Sequence, residues 1–303
     1  MQVGIVGLGR MGAGMARRLA SGGVRVVCYD QKPAAAAALA AERNVACAEN
    51  LAALCARLDG ERVILLMLPA GAAVEDAIRD LLPLVSAGDT LVDGGNSYYR
   101  DSMRRALGLS QQGLRYVDLG VSGGVHGRES GYCLMLGGTP KSIEIFEPYA
   151  RILAPAPEAG WLHCGPSGAG HFAKMVHNGI EYGIMQALAE GFALLAARPD
   201  LDIDPARLAE TWRHGSVVRS WLLDLCAAIL KENESLEGVA PVIDDSGAGR
   251  WTATEAIELG VPAPVITTAL LARFSSQGRS DHARKLIALM RAGFGGHAVH
   301  RKP

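Results

Sequence analysis

The chain has 303 residues, with 30 lysines and arginines against 31 aspartates and glutamates, and 49% of its residues are apolar. This length suggests about two domains and is ample for a large core. The near-zero net charge and the lack of a basic run argue against a nucleic-acid or membrane-surface protein, and no apolar run reaches the length of a membrane span.

The cysteines and histidines indicate a reduced protein without a metal site. The six cysteines form no CxxC pair and lie mostly in apolar segments, so we expect reduced core thiols and a cytoplasmic location. The eight histidines show no ligand spacing with Cys or Asp, so we expect no metal. A strand that begins near residue 2 leaves no room for a signal peptide.

The first 30 residues follow the pattern of a dinucleotide-binding unit. A short apolar strand (residues 1–6) precedes a GxGxxG motif, a helical run to Ser21 and a second strand (residues 25–29) that ends at Asp30. Glycines at these positions make a tight turn and let a pyrophosphate approach the helix N-terminus. The motif supplies the predicted cofactor contacts, namely Gly7, Leu8, Gly9, Arg10, Met11 and Gly12.

Asp30 favours NAD over NADP. Its carboxylate would accept hydrogen bonds from the adenosine ribose hydroxyls and would repel a 2′-phosphate. Lys32, two residues later, could soften this preference.

Helical and strand patterns continue to alternate as far as residue 163. This alternation predicts an α/β fold, a Rossmann-type doubly wound parallel sheet, over residues 1–166. The predicted helices are residues 34–43, 49–58, 72–82 and 98–112, and the predicted strands are 62–67, 90–92, 115–119, 132–136 and 161–163.

Three of these strands end in glycine-containing loops (residues 68–71, 93–97 and 120–124), at the edge where open α/β sheets bind ligands. We therefore expect Asn96 and Ser122 to face one crevice. The expected cofactor contacts in these loops are Leu68, Pro69, Ala70 and Asn96.

From residue 167 the pattern becomes all-helical. One long central helix (residues 168–198) is followed by predicted helices at 205–212, 217–231, 251–259, 264–274 and 281–291. We assign residues 167–290 to a substrate and oligomerisation domain and residues 291–303 to a C-terminal tail. Taken alone, the glycine-rich basic tail is typical of a solvated terminus.

The long helix carries a polar face in an otherwise apolar sequence. Helical spacing places Lys174, His177, Asn178, Glu181 and Tyr182 on one side. A solvated face is the alternative, but Gly170, Gly179 and Gly183 indicate close approach by a ligand or another backbone.

A lysine and a glutamate beside a nicotinamide crevice suggest oxidation of a hydroxyl group. A buried lysine can take the hydroxyl proton if its surroundings favour the neutral amine. A carboxylic acid on the same face suggests a second proton transfer, such as protonation of an enol after decarboxylation. Arg273, Arg291 and His297 supply positive charge for an anionic substrate.

Four stretches of the chain resemble 6-phosphogluconate dehydrogenase, decarboxylating, in its short bacterial form. They are DGGNSYYRD (93–101), GVSGG (120–124), KMVHNGIEYG (174–183) and GRWTATEAIELGVPAP (249–264). The resemblance implies conversion of 6-phospho-D-gluconate to D-ribulose 5-phosphate and CO2, in an oxidative pentose pathway or a separate gluconate route.

The resemblance also implies roles for individual residues. Lys174 would be the general base and Glu181 the acid that protonates the enediol. Residues implied to hold the carboxylate and hydroxyls are Asn96, Ser122, Gly123, Gly124, His177 and Asn178, and those implied at the phosphate are Tyr182, Arg273, Arg291 and His297. The tail would reach a neighbouring subunit's active site, which implies a homo-oligomer (dimer or tetramer) and replaces the solvated-tail interpretation.

Two departures from the long form of this family bear on specificity. Ser246 and Ala248 stand where the long form has a lysine and a threonine near the phosphate, so one cation is missing. NADP-dependent members have Asn-Arg-Thr after the second strand, whereas this chain has Asp30-Gln31-Lys32, which again favours NAD and makes NADP the weaker cofactor.

Two other functions remain as alternatives. Another β-hydroxyacid dehydrogenase, of the 3-hydroxyisobutyrate or tartronate semialdehyde type, would share the dinucleotide unit and the lysine but lack the His-Asn-Gly-Ile-Glu-Tyr continuation. A non-catalytic NAD-binding regulator would need neither Lys174 nor Glu181.

Overall fold

The computed structural model describes residues 1–295 and 298–300. The chain divides into two compact units, Met1–Met175 and Val176–Pro303. The sequence analysis placed the boundary earlier, after residue 166. The units divide after Met175 because the first turns of the long helix pack on the sheet of the first unit.

The first unit is built on an eight-stranded sheet of order β3-β2-β1-β4-β5-β6-β7-β8. All neighbouring strands are parallel except β6 and β7, which are antiparallel. The strands are β1 (Gln2–Val6), β2 (Arg25–Tyr29), β3 (Val45–Cys47), β4 (Val63–Leu66), β5 (Thr90–Asp93), β6 (Arg115–Ser122), β7 (Cys133–Gly138) and β8 (Trp161–Gly165).

Helices cover both faces of this sheet, with one apolar cluster on each side. The central strands β4 and β5 are buried along their whole length, as expected of a parallel sheet. The helices are α1 (Arg10–Ser21), α2 (Pro33–Ala37), α3 (Leu51–Ala56), α4 (Ala72–Leu81), α5 (Tyr99–Ser110), α6 (Gly127–Ser130) and α7 (Pro140–Leu153).

The predicted α/β class and the doubly wound sheet are confirmed, with one change of direction. Repeated βα units predicted a parallel sheet, but β7 returns antiparallel to β6. Only residues 123–132 connect the two strands, and a parallel connection needs a crossover of a dozen or more residues.

Three local predictions in the first unit were incomplete. The helix expected over residues 34–43 ends at Ala37, because its alanine-rich continuation offers little apolar surface to pack. The three-residue strand β3 was missed. Helix α7 was also missed, because Pro148 interrupts its pattern, although Thr139 caps it by accepting from Ser142 N.

The long helix α8 (Ala169–Ala196) begins directly against the sheet. The buried Asp118 of β6 accepts hydrogen bonds from Gly168 N (2.6 Å) and His171 N (2.9 Å). A Cβ at Gly170 would lie 2.5 Å from the carbonyl oxygen of Asp118 and 2.6 Å from Gly137 N. The backbone of α8 therefore touches β6 and β7, which is the close approach that Gly170 indicated.

The second unit consists of the remainder of α8 and five further α-helices, within the described residues. The helix predicted over residues 217–231 begins at Trp221, because Ser220 caps it by accepting a hydrogen bond from Leu223 N. These helices are α9 (Pro205–Trp212), α10 (Trp221–Glu232), α11 (Ala248–Glu258), α12 (Pro264–Ser276) and α13 (Asp281–Gly295).

None of the helices in the described part of the chain combines the length and the apolar character that a membrane crossing requires.

We predict opposite effects on stability for two glycine substitutions in α8. Gly170→Ala should lower the free energy of unfolding by about 1–3 kcal/mol or more, because the new methyl group meets fixed backbone. Gly191→Ala is the control: its Cβ meets no atom within 4 Å, so helix propensity should raise stability by up to about 1 kcal/mol. Urea unfolding of both variants tests this, and equal effects would contradict the assigned contact.

Candidate active site

The loop after β1 leaves open space at the start of α1. Gly7 has a φ of +93°, which favours glycine, and a Cβ at Gly12 would overlap the Gly7 carbonyl oxygen. Gly9 is exposed, and no atom lies within 4 Å of where its Cβ would be. The first N–H groups of α1 therefore adjoin open space, as the binding of a pyrophosphate at this helix N-terminus requires.

Asp30, at the end of β2, holds this loop in place. Its Oδ2 accepts from Leu8 N at 2.6 Å, and its Oδ1 accepts from Lys32 N at 2.8 Å. A carboxylate oxygen has two lone pairs, so Asp30 retains acceptor capacity for ribose hydroxyls. The arrangement fits NAD, because the Asp30 carboxylate both fixes the loop through Leu8 N and can accept a hydrogen bond from the adenosine ribose.

The other predicted cofactor contacts flank this loop. Arg10 is exposed and Met11 half-buried in the first turn of α1. Leu68, Pro69 and Ala70 follow β4, which is hydrogen-bonded to β1. The carboxyl ends of these neighbouring strands lie at one edge of the sheet.

The structure brings Asn96 to the end of β6. Asn96 has a φ of +51°, its Oδ1 accepts from Val121 N (2.8 Å), and its Nδ2 donates to Val121 O (3.2 Å). The predicted neighbours Ser122 and Gly123 follow at once, both half-buried, and Gly124 is exposed. The crevice residues expected in these two loops therefore lie side by side.

The buried carboxylate of Asp93 organises the loop that carries Asn96. It accepts hydrogen bonds from Gly95 N (3.0 Å), Ser97 Oγ (2.8 Å), Arg105 Nη1 (2.8 Å) and Tyr116 OH (3.0 Å). Asp93 is 0% exposed and the Arg105 side chain 2%. A fully desolvated, multiply bonded ion pair of this kind fixes local geometry.

Lys174 is buried, with 6% of its surface exposed. It lies in the part of α8 that packs on β6: a Cβ at Gly120 would lie 2.6 Å from the Cβ of Lys174. The glycine in GVSGG therefore leaves room for the lysine, and the sheet fixes the base of its side chain.

His177, Asn178 and Glu181 lie on the following turns of α8. His177 Nδ1 is 3.2 Å from Asn178 Oδ1 and 3.7 Å from Glu181 Oε2. The His177 and Glu181 side chains are 39% and 37% exposed. Because α8 is one continuous helix, the spacing of seven residues keeps Lys174 and Glu181 on one face, about 10 Å apart along the axis.

Tyr182 and Arg273 form a stacked pair in the second unit. The Arg273 guanidinium carbon lies 3.5 Å from the centroid of the Tyr182 ring, and Arg273 Nη1 donates to Asp244 O at 2.9 Å. The Tyr182 hydroxyl is 3.3 Å from Ser246 Oγ. Of the predicted phosphate residues, these two are therefore brought together, beside Ser246.

Close packing around Tyr182 depends on glycine. A Cβ at Gly249 would overlap the Tyr182 ring, a Cβ at Gly179 would lie 2.7 Å from Thr252 Cγ2, and one at Gly183 would lie 3.1 Å from Val265 Cγ1. Gly179 and Gly183 do mark close approaches, but the neighbours are the side chains of Thr252 and Val265, not the ligand or backbone that the sequence analysis expected.

The turn before α11 is held by an acid, Asp245. Asp245 accepts from Arg250 Nη2 (2.5 Å) and from Gly247 N (2.9 Å). Burial raises the pKa of Asp245, but hydrogen bonds from Arg250 and Gly247 outweigh it and lower the pKa overall. Arg250 is thus engaged with Asp245, and Ala248 is buried in the first turn of α11.

The two remaining predicted residues belong to the C-terminal region. Arg291 is an exposed residue of α13, which extends to Gly295, so the helix includes the first five residues of the predicted tail. His297 lies outside the described residues. No cluster of metal-ligating side chains occurs within residues 1–295 and 298–300.

Sequence reasoning missed the buried polar residues beneath the site, which are Asp93, Ser102, Arg105, Tyr116, Asp118 and His171. One signal was available: Tyr116 and Asp118 interrupt an apolar strand, RYVDLGVS, where buried polar side chains need partners.

Two family models together match most of the chain. The NAD binding domain of 6-phosphogluconate dehydrogenase matches residues 2–157, and the C-terminal domain of 6-phosphogluconate dehydrogenase matches residues 170–301.

Individual proteins give the same result. The chain is 43% identical, over 100% of its length and 99% of the relative's, to the NAD(+)-dependent, decarboxylating 6-phosphogluconate dehydrogenase of Haloferax volcanii. It superposes on Plasmodium falciparum 6-phosphogluconate dehydrogenase with a TM-score of 0.84 and 26% identity, covering 100% of this chain and 67% of that one. Mycobacterium tuberculosis 3-hydroxyisobutyrate dehydrogenase shares the fold, with a TM-score of 0.72 and 23% identity over 92% of this chain and 94% of that one.

We predict that Gly9→Ala separates cofactor binding from folding. Its methyl group meets open space in the free protein, so the melting temperature without cofactor should not change. The same methyl group would occupy the space of the pyrophosphate and should weaken NAD binding about tenfold or more. Calorimetric titration with NAD measures this, and Gly12→Ala is the contrast, since it should destabilise the free protein. Unchanged NAD affinity in Gly9→Ala would show that the pyrophosphate binds elsewhere.

Proposed function

The chain belongs to the 6-phosphogluconate dehydrogenase family, and from this premise we propose that it converts 6-phospho-D-gluconate to D-ribulose 5-phosphate and CO2 with hydride transfer to NAD. The observation that carries the proposal is the pairing of Lys174 and Glu181 on one face of α8, in a chain whose first unit holds a dinucleotide loop. A fold shared with 3-hydroxyisobutyrate dehydrogenase does not by itself favour that reaction.

The chemistry that NAD supplies when bound is the acceptance of a hydride. Gly7, Leu8, Gly9, Arg10, Met11 and Gly12 would hold its pyrophosphate at the start of α1, and Asp30 its adenosine ribose. The Asp30 carboxylate also disfavours a 2′-phosphate at the same place, which makes NAD the preferred cofactor and NADP the weaker one.

Lys174 is the proposed general base. In its neutral form the buried amine accepts the C3 hydroxyl proton as C3 gives up its hydride. It then returns the proton to the C3 carbonyl oxygen while the C1 carboxylate leaves as CO2. The close packing of Gly120 against its Cβ supports a fixed position for this exchange.

Glu181 is the proposed acid that completes the reaction. It protonates the enediol at the carbon that becomes C1 of ribulose 5-phosphate. Its half-exposed carboxyl group can be recharged from solvent, and His177, 3.7 Å away, is a polar neighbour that orients it.

The residues proposed to hold the carboxylate and hydroxyls are Asn96, Ser122, Gly123, Gly124, His177 and Asn178. Asn96 uses one donor and one acceptor on Val121, which leaves a second N–H for the substrate. The two hydrogen bonds between Asn96 and Val121 would hold the second N–H of Asn96 in a fixed orientation toward the substrate.

We propose that Arg273 and Tyr182 bind the substrate phosphate, joined by Arg291 and His297 from a neighbouring subunit. Ser246 would contribute a hydroxyl in place of the missing cation, since it already contacts the Tyr182 hydroxyl.

A homo-oligomer is supported by large exposed apolar side chains in the second unit, such as Val217 (102%), Trp221 (50%) and Ile257 (77%). A cytoplasmic location is supported by the six free thiols.

We expect steady-state kinetics with 6-phosphogluconate to give a higher kcat/KM with NAD than with NADP, and one CO2 released per NADH. Asp30→Ser should lower the ratio of kcat/KM with NAD to kcat/KM with NADP about tenfold or more, because the carboxylate that repels the 2′-phosphate is gone. The companion Lys32→Ala tests whether Lys32 binds the 2′-phosphate, in which case only NADP use falls. Turnover of a small β-hydroxyacid but not of 6-phosphogluconate would refute the proposal.

Substituting the two proposed proton carriers should separate the steps of the reaction. Lys174→Met should lower kcat by a factor of about 100 or more, with NAD affinity unchanged because the cofactor loop is untouched. Glu181→Gln should slow product formation while the enzyme still oxidises the substrate in the first turnover. Rapid-mixing measurements of NADH and CO2 check both variants, and full activity in Lys174→Met would exclude lysine from the mechanism.

A further inference from the structure

Four polar side chains lie buried in the first unit, on four different elements. Asp93 of β5 and Ser102 of α5 are 0% exposed, Tyr116 of β6 is 3% exposed, and His171 of α8 is 1% exposed. Burying this many polar groups is costly unless each has a partner. Apolar residues of similar volume would pack equally well, so their presence calls for an explanation.

The four side chains form one hydrogen-bonded series. His171 Nδ1 is 2.7 Å from Ser102 Oγ, the neighbouring Ser102 hydroxyl acts to lower the pKa of Tyr116, and Tyr116 donates to Asp93 Oδ2 at 3.0 Å. We call this series the buried hydrogen-bond chain. Burial and the charge of Asp93 raise the pKa of Tyr116, so it stays a phenol and remains a donor.

One direction of donation satisfies the buried hydrogen-bond chain. Tyr116 donates to the carboxylate, so its oxygen can accept from Ser102, and a Ser102 hydroxyl that donates there would accept from His171 Nδ1–H. This direction requires a proton on His171 Nδ1. His171 Nε2 is buried, and within the described part of the chain it has no hydrogen-bond partner.

Each end of the buried hydrogen-bond chain lies next to a proposed functional segment. At one end, Asp93 binds Gly95 N and Ser97 Oγ, on both sides of Asn96. At the other end, His171 is one helical turn before Lys174, and its backbone N–H is held by Asp118. Side chains three residues apart on a helix are neighbours.

We propose that the buried hydrogen-bond chain is a positioning device for the reaction, which fixes the α8 turn that carries Lys174 relative to the loop that carries Asn96. This inference rests on the proposed function. His171 and Ser102 are positioning residues: they act through Lys174 and Asn96 and take no proton from the substrate. Displacement of a general base by about 1 Å can cost a factor of about 100 in rate.

Two substitutions of His171 distinguish positioning from proton transfer. His171→Asn keeps an N–H near the place of Nδ1 and removes Nε2, whereas His171→Leu removes both. Assayed well below each variant's melting temperature, His171→Asn should keep kcat within about threefold, and His171→Leu should lower it about tenfold or more with little change in KM. Equal loss in both variants, or wild-type kcat in His171→Leu, would overturn the proposal.

Removing the hydroxyl group in the middle of the buried hydrogen-bond chain gives a second test with a matched control. Ser102→Ala should lower kcat about tenfold, whereas Ser142→Ala should not. Ser142 is an equally buried serine (2% exposed) that bonds Thr139 Oγ1 at 2.7 Å in α7, away from the site. Equal kcat in the two variants would contradict a positioning role.

Hydrogen exchange provides a readout that does not depend on turnover. Ser102→Ala should speed amide exchange in both residues 94–97 and residues 169–175, while Ser142→Ala should change neither. If wild-type protein fails to oxidise 6-phosphogluconate, the proposed function is wrong, yet the exchange result still decides whether the two segments are coupled. Faster exchange in only one segment would overturn the coupling.

Discussion

The contact between the start of α8 and strands β6 and β7 is the constraint on which the rest of the first unit depends. Glycines at 120 and 170 remove the side chains that would separate helix from sheet, and Gly137 leaves room for the Asp118 carboxylate. Asp118 then caps the helix from the strand itself, accepting from Gly168 N and His171 N. A helix start held by backbone contact and a buried carboxylate has little freedom to shift, which suits an element that presents a base to a substrate.

The same principle recurs along the carboxyl edge of the sheet, where acids at strand ends shape the functional loops. Asp30 holds the loop after β1 through Leu8 N, and Asp93 holds the loop after β5 through Gly95 N and Ser97. Each carboxylate already accepts a hydrogen bond from a backbone N–H group in the ligand-free protein. Preorganisation of this kind removes part of the entropy that binding would otherwise have to overcome.

Sequence patterns predicted the dinucleotide unit and the long polar-faced helix, because both depend on local spacing. The GxGxxG loop and Asp30 lie within one βαβ unit, and the face from Lys174 to Tyr182 follows from helical periodicity alone. The antiparallel strand β7 and helix α7 were harder to predict. The direction of β7 depends on how short a connection is, and Pro148 interrupts the pattern of α7.

The buried polar residues could not be placed from sequence because their partners are distant in the chain. Ser102 and His171 are 69 residues apart, and Arg105 reaches Asp93 only because α5 packs beside β5. A serine in a helix gives no sign of such a partner, and an aspartate in an apolar strand indicates that a partner is needed but not which residue it is. By contrast, the glycines at 170, 179 and 183 gave a usable signal, since glycine in a helix interior is unfavourable without a packing reason.

The unbroken course of α8 restricts how this chain can change in length. Each residue of an α-helix turns by about 100°, so one residue inserted after Lys174 would rotate Glu181 and Tyr182 away from the face they share with the lysine. The segment from 234 to 242 has no such register, since it is an exposed stretch without helix or strand. We therefore expect natural length variation among related chains to collect in segments such as this one, while the seven-residue interval from Lys174 to Glu181 stays constant.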